Sequence, residues 1–146
     1  MLAVYKFNQK RNGFSLDEEN EKRMLMEEIQ EFFSAETLAE RIDAMIDVRF
    51  VFEGTQMKFA NAGKPLDADI NKLVGEFHKL STTIVAEELG DNAQYMGKIM
   101  SDCWDIVCKA NELKGTKLDE NGKVIKDEAI PNATEQIAKR LEEYLK

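Results

Sequence analysis

Carboxylates crowd two neighbouring stretches of the sequence. Glu27, Glu28 and Glu31 lie in the first, and Glu40, Asp43 and Asp47 in the second. Glu28 and Glu31 are three residues apart, while Glu40, Asp43 and Asp47 step by three and four. Each set therefore lines one face if its stretch is helical. Converging carboxylates raise one another's pKa and oppose folding. A hard divalent cation removes that cost, and Mg²⁺, with Mn²⁺ as its substitute, takes oxygen ligands while keeping waters that substrate phosphates can replace. The chemistry to expect is a divalent-metal site with room for substrate phosphates.

The elements that must position these groups are legible from helix punctuation. Ser15-Leu-Asp-Glu18 reads as a capping box opening a helix to about Phe33, with Leu25, Ile29, Phe32 and Phe33 on one apolar face. Thr37-Leu-Ala-Glu40 reads as a second box, opening a helix through Ile42, Met45, Ile46 and Phe50 to Phe52 or beyond. So short a connection forces an antiparallel hairpin. Positions equidistant from its turn are expected to meet, Glu31 with Glu40 and Glu28 with Asp43. The expected metal ligands are thus Glu28, Glu31, Glu40 and Asp43.

Three more helices follow from the same signals. One runs from about Ala68 to Leu89 and closes at Gly90. Another is capped by Asp91 and runs to about Leu113. A last amphipathic helix after Asn132 carries Ile137, Leu141 and Leu145. Between the last two, Asn121-Gly122 marks a loop or small hairpin. With only 2 prolines and 8 glycines in 146 residues, no repeat and no linker, the expectation is an all-α helical bundle of about five helices forming a single domain over residues 1–146.

Composition excludes several function classes. A net charge of −8 repels nucleic acid and anionic membranes, although a metal ion or a few lysines can still focus a small anion. No apolar run is long enough to span a bilayer. The N-terminal stretch lacks the pattern of a secretion signal. Cys103 and Cys108, five apart, fall on different helix faces and read as unpaired structural thiols in a reduced, cytoplasmic setting. His78 is not three residues after a glutamate, so the Glu-x-x-His pairs of a di-iron bundle are missing. It reads as an ordinary helix residue. Asp119-Glu-Asn-Gly122 lacks the remaining ligand spacing of a calcium loop.

The acidic pattern, EEIQEFFSA followed by AERIDAMIDVRFVFEGT, resembles the all-α nucleotide pyrophosphohydrolases. That group comprises MazG-like enzymes, phosphoribosyl-ATP pyrophosphohydrolase-like enzymes and the related dimeric dUTPases. The later segment KANELKGTKLDENGKVIKD is similar to their C-terminal segment, and VYKFNQKRNGF fits the short helix that precedes the acidic motif. The likeness covers about residues 4–60 and 108–132. It implies Mg²⁺-dependent cleavage between the α- and β-phosphates of a nucleoside triphosphate, giving a monophosphate and pyrophosphate, by a homodimer or homotetramer. It adds Asp47 as an alternative metal ligand or one standing behind the others. It further implies that Glu27 and Glu28 serve in catalysis, Glu27 by positioning or deprotonating the water, and that Asn111, Lys114 and Lys117 contact ribose or phosphate.

A plainer reading stands beside it. A chain with 28 acidic residues yields such spacings by chance, and Glu40 already has work as a capping partner. The alternative function is a non-catalytic helical module that dimerises through Phe50, Phe52, Met57 and Phe59.

Overall fold

A computed structural model describes residues 1–11, 13–115, 118–120, 123–125 and 132–145. The chain is all-α, a helical bundle. Its elements are α1 (Leu2–Gln9), α2 (Glu18–Ser34), α3 (Leu38–Asn61), α4 (Ala68–Leu89), a 3₁₀ turn (Gly90–Tyr95), α5 (Met96–Leu113) and α6 (Ala133–Tyr144). The five long helices are those expected, and the short α1 precedes them.

Local chemistry explains most boundaries. α2 begins two residues later than the Ser15 box implied, because Asp17 takes the extended N-cap conformation and its carboxylate accepts Asn20 N–H at 3.1 Å. The Thr37 hydroxyl accepts Glu40 N–H at 3.2 Å, as read, whereas Glu40 Oε2 accepts Glu36 N–H, one residue before the cap, at 2.9 Å. α4 ends at Gly90, whose φ of 58° suits a residue without Cβ. The chain then makes a 3₁₀ turn before α5, so Asp91 does not open that helix. Asn132 caps α6 through Thr134 N–H at 2.8 Å.

α3 is the axis of the bundle, touching α1, α2, α4, α5 and α6. Its buried residues, among them Ile42, Met45, Ile46, Val48, Phe50 and Phe59, lie around its whole circumference, as a helix wrapped by others requires. Leu25, Ile29 and Phe32 of α2 pack on it from one side. Ile99, Cys103 and Val107 of α5 and Ile137 and Leu141 of α6 belong to the same core. Phe32 meets Phe77 of α4 edge-on at 5.3 Å. Of the residues that could serve either a dimerisation face or the intramolecular core, Phe50 and Phe59 are buried in the core. Both cysteines are free; Cys103 is buried, and burial pushes its thiol up to about 12. His78 is exposed on α4. Among the described residues no helix is long and apolar enough to cross a membrane.

Candidate metal and phosphate site

The α2–α3 hairpin does bring carboxylates together, in a register one helical turn from the one expected. Ligand atoms of Glu28, Glu31 and Asp47 all lie within 4.8 Å of one another. Side chains on a helix lean toward its N-terminus. Along α2 that lean carries Glu28 and Glu31 away from the turn, whereas along α3 it carries Asp47 toward the turn. Glu28 therefore meets Asp47 rather than Asp43. Simple mirroring about the turn ignored this lean.

Burial makes the cluster electrostatically costly. Glu28 is buried, and desolvation pushes its carboxyl up to about 7; Lys123 opposes the rise and Glu31 adds to it. Asp47 is raised well above the ordinary aspartate range, first by desolvation and then by Asp43 and Glu28, with Lys114 pulling the other way. Glu31 sits at the exposed rim.

These groups line a cleft of about 410 Å³ bounded by α1, α2, α3, the end of α5 and the segment after it. Two lysines enter from that segment. Lys114 follows α5 directly. Lys123 stands beside an isolated antiparallel bridge between Leu118 and Val124, with Asp119 N–H donating to Lys123 O at 2.8 Å and Lys123 N–H to Asp119 Oδ1 at 3.0 Å. Lys123 Nζ then lies 3.3 Å from Glu28, 3.6 Å from Glu31 and 3.9 Å from Glu27. The ammonium and the three-carboxylate cluster share one corner of the cleft.

Of the residues singled out from sequence, Glu28, Glu31, Asp47, Asn111 and Lys114 all line this cleft. Glu40 does not join them. It is exposed, and its carboxylate is spent on the Glu36 N–H at the start of α3. Asp43 is close enough to raise Asp47, but its Oδ2 accepts the Thr134 hydroxyl at 2.6 Å, so α6 holds it beside the cluster. Glu27 reaches only Lys123, at 3.9 Å, and stands outside the three-carboxylate group. Lys117 and the Asn121-Gly122 turn lie outside the described residues.

Sequence reasoning missed the cleft's other polar groups. Glu21 and Lys58, both buried, pair at 3.0 Å, and Thr55 Oγ1 donates to the second Glu21 oxygen at 2.8 Å. A signal was present: Glu21, Leu25, Glu28 and Phe32 step by four, three and four, so two acids occupy a core-facing stripe. Gly54 lets α1 approach α3, since a Cβ there would lie 3.0 Å from Asn8 Nδ2. No sequence pattern announces Lys123 or Arg11, whose places depend on tertiary contacts.

Compared with models of protein families, with curated proteins and with solved structures, the chain matches none. What the arrangement can do therefore rests on its own chemistry. Three carboxylates with no histidine or cysteine among them form a hard, all-oxygen donor set that fits Mg²⁺ or Mn²⁺ rather than zinc. Two lysines facing that set in an open cleft suit a polyanionic ligand.

Proposed function

We propose that the chain is a Mg²⁺-dependent nucleotide pyrophosphohydrolase of the all-α MazG-like kind, cleaving the α–β phosphoanhydride of a nucleoside triphosphate to a monophosphate and pyrophosphate. The observation that carries this reading is the meeting of Glu28, Glu31 and Asp47 in a cleft that Lys114 and Lys123 also line. Carboxylates alone would bind a cation. Carboxylates with facing lysines match a cation that arrives with phosphates.

Glu28, Glu31 and Asp47 would hold the metal, with Asp43 held beside them by the Thr134 hydroxyl. Bound there, Mg²⁺ supplies polarisation of phosphoryl oxygens and a water of lowered pKa. The hydrolysis forms one bond from water oxygen to phosphorus and breaks the bridging P–O bond. The bridging oxygen leaves with pyrophosphate, and the water's protons pass to carboxylates or solvent. Lys114 and Lys123 act as compact positive charges against the phosphates. Asn111 offers both donor and acceptor to ribose or phosphate. Glu27, 3.9 Å from Lys123 Nζ, would adjust that lysine. A cytoplasmic homodimer or homotetramer belongs to the same reading.

The test is a screen of nucleoside triphosphates with pyrophosphate detection, in Mg²⁺ and in Mn²⁺. Release from at least one nucleotide, abolished by Asp47→Asn, is expected. Silence across the whole panel would sink the proposal.

The second reading, a helical interaction module, draws on a separate apolar cleft of about 520 Å³ between α3, α4 and the start of α5, lined by Met45, Phe52, Val74, Phe77, Met96 and Met100. Divalent-metal affinity at Asp47 separates the two, because an interaction module has no use for it.

A further inference from the structure

Two helices end at the rim of the cleft, and each leaves carbonyl oxygens without partners in its own last turn. α5 carries no basic residue in its last turn to answer the partial negative charge there. That charge also lies next to a carboxylate cluster, which makes the ending less favourable still. The compensation comes from the other end of the chain. Arg11 Nη2 donates to Lys114 O at 2.7 Å and to Asn111 O at 3.4 Å, and Nε donates to Gly115 O at 3.1 Å. Its remaining amino group, Nη1, donates to Phe7 O at 2.9 Å in the last turn of α1. One guanidinium thus caps the C-terminal ends of α1 and α5 together.

The placement of Arg11 is itself registered to the carboxylates. Its guanidinium stacks 3.8 Å above the Phe7 ring, and Phe7 meets Phe50 edge-on at 5.1 Å. Phe50 lies three residues after Asp47 on α3. Arg11 therefore links the helix that bears Asp47 to the segment that bears Asn111 and Lys114, over about a hundred residues of sequence.

We propose that Arg11, itself on the lining of the cleft, is a positioning residue: by capping α1 and α5 at once it fixes the backbone from which Asn111 and Lys114 enter, and so sets the affinity for polyphosphate through that backbone. The assignment rests on the phosphate-binding reading above. The geometry uses four hydrogen bonds from the guanidinium fork, and lysine reproduces the charge without the fork.

The probe is inorganic tripolyphosphate with Mn²⁺, titrated calorimetrically into wild type, Arg11→Gln and Arg11→Lys. Mn²⁺ alone is followed by electron paramagnetic resonance, and amide exchange is followed in the last turn of α5. Arg11→Gln is expected to weaken tripolyphosphate by about tenfold, roughly the loss of one charged cap. It should leave Mn²⁺ affinity within about twofold and speed exchange at the α5 end, and Arg11→Lys should recover part of each effect. Unchanged tripolyphosphate affinity in Arg11→Gln, or a parallel fall in Mn²⁺ affinity, overturns the assignment. If wild type binds no tripolyphosphate, the phosphate-binding reading fails; exchange then decides whether Arg11 anchors α5, and an unchanged rate overturns that as well.

Discussion

Lys123 Nζ stands 3.3 Å from Glu28 Oε1, joining the segment after α5 to a carboxylate buried on the inner face of α2. The pair sets the electrostatics of the cleft. Desolvation alone would push Glu28 higher still, and the ammonium holds it at about 7. Glu28 and its neighbours in turn raise Lys123, against the desolvation that would lower it. A cation and the ammonium thus compete for the same oxygens, and a phosphate ligand gives the lysine somewhere else to go.

Because folded Glu28 holds its proton more tightly than unfolded Glu28, the metal-free protein should lose stability as pH climbs from the ordinary glutamate range through about 7. Thermal unfolding in chelator should show a higher Tm at pH 6 than at pH 8. The Glu28→Gln protein should be more stable than wild type at pH 8 by about 1 to 2 kcal/mol, which is several degrees for a chain of this size. Saturating Mg²⁺ should reverse the wild-type trend. A Tm that rises with pH in chelator would contradict the cost assigned to this carboxyl.

Removing Lys123 tests the other half of the pair. Lys123→Met should move the Glu28 titration above 7, since the ammonium that lowers it is gone. It should weaken nucleotide binding while leaving divalent-metal affinity at alkaline pH equal to or tighter than wild type. Carboxyl-carbon NMR on selectively labelled glutamate reads the first effect, and calorimetry reads the second. A weaker metal site in this variant would mean that the ammonium supports the cation instead of competing with it.

The Glu21–Lys58 pair forms the buried floor of the cleft, and Thr55 completes its hydrogen bonding. Cutting one partner strands a charge in the core. Lys58→Ala should therefore cost about 3 to 5 kcal/mol in denaturant unfolding, whereas the double change Glu21→Leu with Lys58→Met should recover most of that loss. Equal losses from the single and double variants would show that packing, not charge pairing, governs this floor.

The helices were legible because their caps are local. Thr37, Asn132 and Gly90 each act on neighbours within a few residues, so their roles can be read without tertiary structure. The acidic hairpin was legible for the same reason. Its register was not, because pairing depends on the opposite lean of Glu28 and Asp47 side chains about the turn. Glu40 was misplaced because one carboxylate cannot both cap Glu36 N–H and face the cleft. Asp43 was half right: it lies on the correct face and next to Asp47, but Thr134, from a helix ninety residues away, holds its oxygen. Arg11 and Lys123 had no local signature, since each acts through partners distant in sequence.

Divalent-metal affinity across a small set of variants tests the central claim most directly. Calorimetric titration of Mn²⁺ into wild type, Asp47→Asn and Glu40→Gln should give a bound ion in wild type, loss of at least about tenfold in affinity for Asp47→Asn, and no change for Glu40→Gln. Failure of the wild-type protein to bind Mn²⁺, or loss of binding in Glu40→Gln with retention in Asp47→Asn, would contradict a cation held by Glu28, Glu31 and Asp47.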